Sequence, residues 1–217
     1  MTIATGAPAL PRAGLTRQAA GLRLVWLHLL SRRVPVALIA LAVCGAVLRA
    51  ALVWHWGPGS GNAALQLPAL FEIGTAAVIA VTTYSPFGEP ERATGRWLPW
   101  LRLGTALGLT AAAIGLLGAG AAGESLPGGI LAIVRNVAGA AGIGLLLAAV
   151  IGGALAWIGP MAYLVIAEVA LLQAWTSPWT WPARPPHDRG AAICAALVFA
   201  AGITITAVRG ARDSAGD

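Results

Sequence analysis

The chain has 217 residues, 58% of them hydrophobic and only 10% charged, with a formal net charge of +6 and a mean hydropathy of +0.79. Soluble domains carry about 25% charged residues, so this composition excludes an ordinary water-soluble globule. All 14 basic residues are arginine, which excludes a P-loop, whose lysine holds the nucleotide phosphates. The arginines flank apolar blocks, where they set topology, and nucleic acid is not the expected partner.

Residues 1–14 read as a disordered N-terminal tail. Over 15–33, Leu15, Ala19, Leu22, Trp26 and Leu29 recur at helical spacing, with Arg17, His28, Ser31 and Arg32 on the opposite side. This predicts an amphipathic helix in the inner membrane interface; the other reading is a plain extension of the first span. No cleavable signal peptide is expected, because the Arg-bearing N-terminus is long and the first apolar block continues into a full span.

Six spans are predicted, at 34–53, 65–83, 103–122, 137–158, 161–175 and 191–208. Each is near the length that crosses a hydrocarbon layer of about 30 Å. The fold class is therefore an all-α polytopic membrane protein of the cell membrane, one transmembrane domain over 15–208 with a cytoplasmic tail over 209–217. With the N-terminus inside, Arg12, Arg17, Arg23, Arg32, Arg33, Arg92, Arg96, Arg102, Arg209 and Arg212 are cytoplasmic, and Arg49, Arg135, Arg184 and Arg189 are outside. That asymmetry predicts both termini inside. Trp54 and Trp56 at the outer end of the first span, and Trp175, Trp179 and Trp181 at the outer end of the fifth, form two expected outer interfacial belts.

Glu72, with Thr75 one turn further on, sits inside the second span, and Glu168 inside the fifth. Ionisable groups in a membrane interior are costly and mark functional positions. They are candidates for polar contacts along a substrate or proton path, or for a structural ion pair with Arg49 or Arg135. Cys44 and Cys194 fall in apolar blocks and read as small buried side chains.

The stretch 84–101 is punctuated by Pro86, Gly88 and Pro90 and then charged at Glu89, Glu91, Arg92 and Arg96, before Trp97 and Trp100. It reads as a compact cytoplasmic knob for a partner, or else as a solvated connector. Residues 128–136 are apolar but end in Arg135 and Asn136, so an outer interfacial helix is expected there. The Pro-rich stretch 177–190 reads as a rigid outer loop in which His187 and Asp188 form a turn.

Small residues recur every fourth position at Gly104, Gly108 and Ala112, and at Gly144, Ala148, Gly152 and Ala156. Such spacing lets helix backbones approach closely. Gly118, Gly120 and Gly123 match a dinucleotide-binding pattern by letter, but they end a lipid-length span and no strand precedes them. No metal-ligand spacing, paired-carboxylate site or nucleophile–base arrangement is apparent, so the chain is not expected to be an enzyme.

This layout resembles the membrane subunit of an ABC-2-type transporter. The matching parts are the amphipathic stretch 15–33, the loop carrying Glu89, Glu91, Arg92 and Arg96, and the outer stretch from Thr176 that includes Trp179 and Trp181. The resemblance covers nearly the whole chain and is one of architecture. It implies a permease without cofactors of its own, working with separate cytoplasmic ATPase subunits that bind ATP and Mg, as a homodimer or paired with a related permease. It further implies that Glu89, Glu91, Arg92 and Arg96 couple to the ATPase. The cargo would be an amphipathic small molecule, peptide or lipid moving outward past Glu72, Thr75 and Glu168. The alternatives are a non-transporting membrane partner such as an immunity protein, and an ion-coupled carrier; an intramembrane enzyme lacks a catalytic set.

Overall fold

The computed structural model describes residues 25–27, 29–55, 66–84, 98–124, 126 and 128–209. Glu89, Glu91, Arg92 and Arg96, both terminal tails and most of the 15–33 stretch lie outside them. The described part is all-α, with no strand among the described residues.

Among the described residues, six long helices follow in order: α1 (Val34–Val53), α2 (Gln66–Val81), α3 (Leu98–Gly120), α4 (Gly129–Ile151), α5 (Ile158–Leu172) and α6 (Arg189–Arg209). A single 3-10 turn, Trp181–Ala183, lies between the last two. Four of them, α1, α3, α4 and α6, are long and apolar enough to cross a membrane. The other two are shorter, 16 residues in α2 and 15 in α5. At 1.5 Å per residue those reach only about 24 Å.

Each boundary has a local cause. Residues 29–31 are helical, but Arg33 adopts a left-handed backbone (φ 54°, ψ 28°) that separates this helix from α1. Pro35 then fits the first turn of α1, where its missing N–H has no partner to lose. At the far end of α4, Gly152 takes φ 100°, a conformation side-chain-bearing residues avoid, and the helix stops. The connection from α4 to α5 therefore runs through 152–157, and Gly159 and Pro160, expected as the connection, lie inside the first turn of α5. A second correction concerns 128–136: it is not a separate interfacial helix but the opening turns of α4, which begins at Gly129 rather than at Val137.

The helices pack around α4. Its most apolar stretch is 61% buried, against 28%, 33% and 22% in α1, α3 and α6. It lies chiefly against α6 and α2, while α1 lies chiefly against α3, and α2 also against α5. The two principal seams close on glycine. A Cβ added at Gly120 would stand 2.4 Å from the Gly45 carbonyl oxygen, and one at Gly202 would stand 2.5 Å from that of Gly142. Backbones this close exchange dispersion contacts that lipid chains do not replace. Gly144 also packs tightly, on Ala80 and Pro160, whereas Gly104 and Gly108 face open space.

α1 shows how an all-apolar helix is sorted. Val34, Ala37, Leu41, Gly45, Leu48 and Ala51, spaced three or four apart, are buried. Val36, Ile39, Val43 and Val47 on the other side are exposed. A helix apolar all round, with half its surface uncovered, belongs in a lipid environment.

Candidate functional site

Helix periodicity turns the polar residues of α2 inward. Ala69, Glu72, Ile73, Thr75 and Ala76 form one buried stripe. Glu72 is 3% exposed and Thr75 fully buried. The Thr75 hydroxyl satisfies itself within the helix, donating to the Glu72 carbonyl oxygen at 2.8 Å. The Glu72 carboxyl group needs a partner from elsewhere, since burying it alone is prohibitive.

That partner comes from the start of α4. Asn136 donates through Nδ2 to Glu72 Oε2 at 2.6 Å. Its other amide atom, Oδ1, accepts from Arg135 Nε at 3.2 Å. The remaining Arg135 nitrogens reach across to the loop after α5: Nη1 donates to the Pro185 carbonyl at 2.7 Å and Nη2 to the Arg184 carbonyl at 3.0 Å. Carboxyl, amide, guanidinium and two carbonyls thus form one continuous chain at the end of the bundle where α2, α4 and α6 begin. Both Arg135 and Asn136 are buried, and each atom in the chain answers another's hydrogen-bonding demand.

The loop that receives Arg135 is held in four ways. Arg184 donates through Nε to Asp188 Oδ2 at 2.6 Å, and its Nη2 pairs with the same oxygen. Asp188 Oδ1 accepts the backbone N–H of Ala191 at 3.0 Å, capping α6. That N–H, and then Arg184, hold the Asp188 carboxyl below its ordinary range. Finally, Trp181 turns into the bundle. Its ring lies 4.7 Å from that of Tyr163, at 33°, and against Gly139, where a Cβ would stand 2.6 Å from its Cζ2. The Tyr163 hydroxyl donates to the Trp179 carbonyl at 2.9 Å.

Trp181 is 2% exposed and so does not belong to the interfacial belt expected of it, whereas Trp54 and Trp179 are exposed. Among the described residues, the indole Nε1 of Trp181 is buried without a hydrogen-bond partner. Comparison with protein-family models, curated proteins and solved structures finds no match for this chain.

Of the residues singled out in the sequence, Glu72 and Thr75 are brought together, and Arg135 joins Glu72 through Asn136. Glu168 is half-buried on α5, and among the described residues no hydrogen bond joins it to Glu72. Arg49 pairs elsewhere, 3.9 Å from Glu124, and donates to the Ala122 carbonyl. The coupling residues Glu89, Glu91, Arg92 and Arg96 lie outside the described residues. Asn136 is the member sequence reading missed. Its only signal was its place beside Arg135 in an otherwise apolar run.

Proposed function

We propose that this chain is the six-span permease subunit of an ATP-driven ABC-2-type transporter in the cell membrane, with both termini cytoplasmic. A separate ATPase subunit would supply the energy, and an amphipathic small molecule, peptide or lipid would be the cargo. The observation that supports this reading is the return of 176–188 onto the bundle. Trp181 packs under the loop and Arg135 grips its carbonyls, which closes one end of the helices beside the buried Glu72 and Asn136. A cap of this kind suits the outer mouth of a pathway that opens when nucleotide binds one state better than the other.

The test is purification of the tagged protein from its native membrane, followed by an ATPase assay. Co-purification of an ATPase, lost on combining Glu91→Arg with Arg92→Glu, supports the permease and its coupling loop together. Recovery of folded protein with no ATPase overturns this reading.

A second reading, an ion-coupled carrier, is favoured by one feature of the packing. In each half of the chain the first helix packs on the third, α1 on α3 and α4 on α6, and the short middle helices α2 and α5 meet between them. The two three-helix halves enter from opposite ends of the bundle, and each has a short middle helix, the position at which carriers of this kind bear their binding site. Uptake by vesicles containing the purified protein, driven by an ion gradient without ATP, is the result that separates this reading from the first.

A further inference from the structure

The end of the bundle where α1, α3 and α5 begin gathers threonines. Thr82 and Thr83 lie just past α2, Thr105 on α3 and Thr206 near the end of α6, and all four line one cavity of about 10 Å³. Ile79, Ala106 and Leu145 supply its apolar wall. The cavity therefore draws on the first three helices and on the last three.

Every hydroxyl hydrogen in this lining is already committed. Thr82 donates to the Ile79 carbonyl and Thr83 to the Ala80 carbonyl, both at 2.6 Å. Thr105 donates to the Leu101 carbonyl at 2.8 Å. Thr206 reaches from α6 to the Leu145 carbonyl on α4 at 3.1 Å. A threonine hydroxyl has one hydrogen and two lone pairs, so what these oxygens still offer is acceptance. An occupant of the cavity has to donate.

Size and charge complete the selection. A space of this volume takes about one water-sized sphere, so the occupant has a single heavy atom. A halide accepts hydrogen bonds and donates none. A metal or ammonium ion would meet no carboxylate in the lining, and two of the lining residues, Arg32 and Arg102, are cationic. Water meets each requirement. A buried water needs two to four polar partners, and its two hydrogens match the hydroxyl lone pairs.

We propose that one internal water occupies this cavity and bridges the two halves of the chain, donating to Thr206 on one side and to a threonine of α2 or α3 on the other. A bridging water is nearly as favourable in enthalpy as a direct hydrogen bond. It joins α6 to α2 and α3 at the end of the bundle opposite the Asn136–Glu72 bond. This inference does not rest on either transport reading.

The test is nuclear magnetic resonance of the full chain in deuterated micelles, with alanine, isoleucine, leucine and threonine methyl groups labelled and magnetisation transfer from water read at each. The methyls of Ile79, Ala106 and Leu145 are expected to show water cross-peaks with the sign of a water that tumbles with the protein. Ile73 and Thr75, fully buried elsewhere on α2, are expected to show none, and Thr75 controls for proton exchange through a hydroxyl. Thr206→Val is expected to lose the cross-peaks and Thr206→Ser to keep them. Ala106→Val, which fills the cavity without removing a hydroxyl, is expected to lose those at Ile79 and Leu145; it decides the matter if Thr206→Val does not fold. Absence of the cross-peaks in wild type overturns the proposal. An equal signal at Thr75 overturns it as hydroxyl exchange, and the sign of a fast-moving water overturns it as an open cleft. Cross-peaks unchanged in Thr206→Val or in Ala106→Val overturn it as well.

Discussion

Glu72 and Asn136 provide the sharpest test of the polar chain. Replacing either with leucine removes their shared 2.6 Å hydrogen bond and leaves the survivor buried. Interhelical hydrogen bonds in membrane proteins are worth about 0.6 kcal/mol when measured by double-mutant cycles. A carboxylate acceptor roughly doubles a hydrogen bond's strength, which gives a coupling of about 1 kcal/mol. Each single variant should lose more than this, about 1–3 kcal/mol, because the abandoned polar group keeps its desolvation cost. The double variant, leucine facing leucine, should then be more stable than the sum of the two losses predicts.

The assay is reversible unfolding of the purified protein in mixed micelles, for wild type, Glu72→Leu, Asn136→Leu and the pair. Glu72→Gln is a useful fifth protein, since it keeps an acceptor for Asn136 Nδ2 and should fall between wild type and Glu72→Leu. Losses that add to within about 0.3 kcal/mol, the behaviour of independent sites, would refute the claim that these two residues hold each other.

Two further outcomes follow from the loop over the site. Trp181→Phe should cost less than about 1.5 kcal/mol, because the indole N–H it removes has no partner among the described residues. Trp181→Ala should cost about 3–5 kcal/mol, the range for truncating a buried aromatic, and both are read by the same unfolding assay. Asp188 contributes to stability through a depressed folded-state pKa. Its contribution is therefore full above its unfolded value of about 3.9 and is lost as pH falls through the lower folded value. Asp188→Asn should accordingly destabilise the protein near neutrality and flatten the acid limb of its stability profile; an unchanged acid limb would count against the capping role.

The sequence disclosed most where one helix could be judged by itself. The first apolar block is bounded by Arg33 on one side, with Pro35 in its opening turn, and by the tryptophan–histidine pair Trp54–His55 on the other, and α1 spans Val34–Val53. It disclosed least where burial depends on distant partners. Arg135 and Asn136 in an apolar run resemble an interfacial marker, because a local reading sees charge without compensation. The compensation comes from Glu72, 64 positions before Asn136, and from carbonyls 49 and 50 positions after Arg135. Trp181 has the same difficulty. Within the loop it looks like Trp179, since no period assigns faces there, and only the gap above Gly139 distinguishes the buried ring from the exposed one.

The placement of these bonds bears on what can move. Arg135 holds Arg184 and Pro185, Tyr163 holds Trp179, and Thr206 on α6 donates to the Leu145 carbonyl on α4 at 3.1 Å. All of these join residues within 129–209, so α4, α5, α6 and the capping loop are tied into one unit. Arg32 holds Thr83, and Arg49 holds Ala122, within the first three helices. The bond from Asn136 to Glu72 crosses from one unit to the other. Its worth, about 1 kcal/mol by the reasoning above, is small beside the several kcal/mol a ligand supplies when it shifts a two-state equilibrium decisively. α2 also packs along α4 and α5, and Gly144 seats against Ala80, so parting this contact also means parting that packing, while the loop and its arginine stay with α4. Breaking the contact would leave Glu72 and Asn136 each without the partner that offsets its burial.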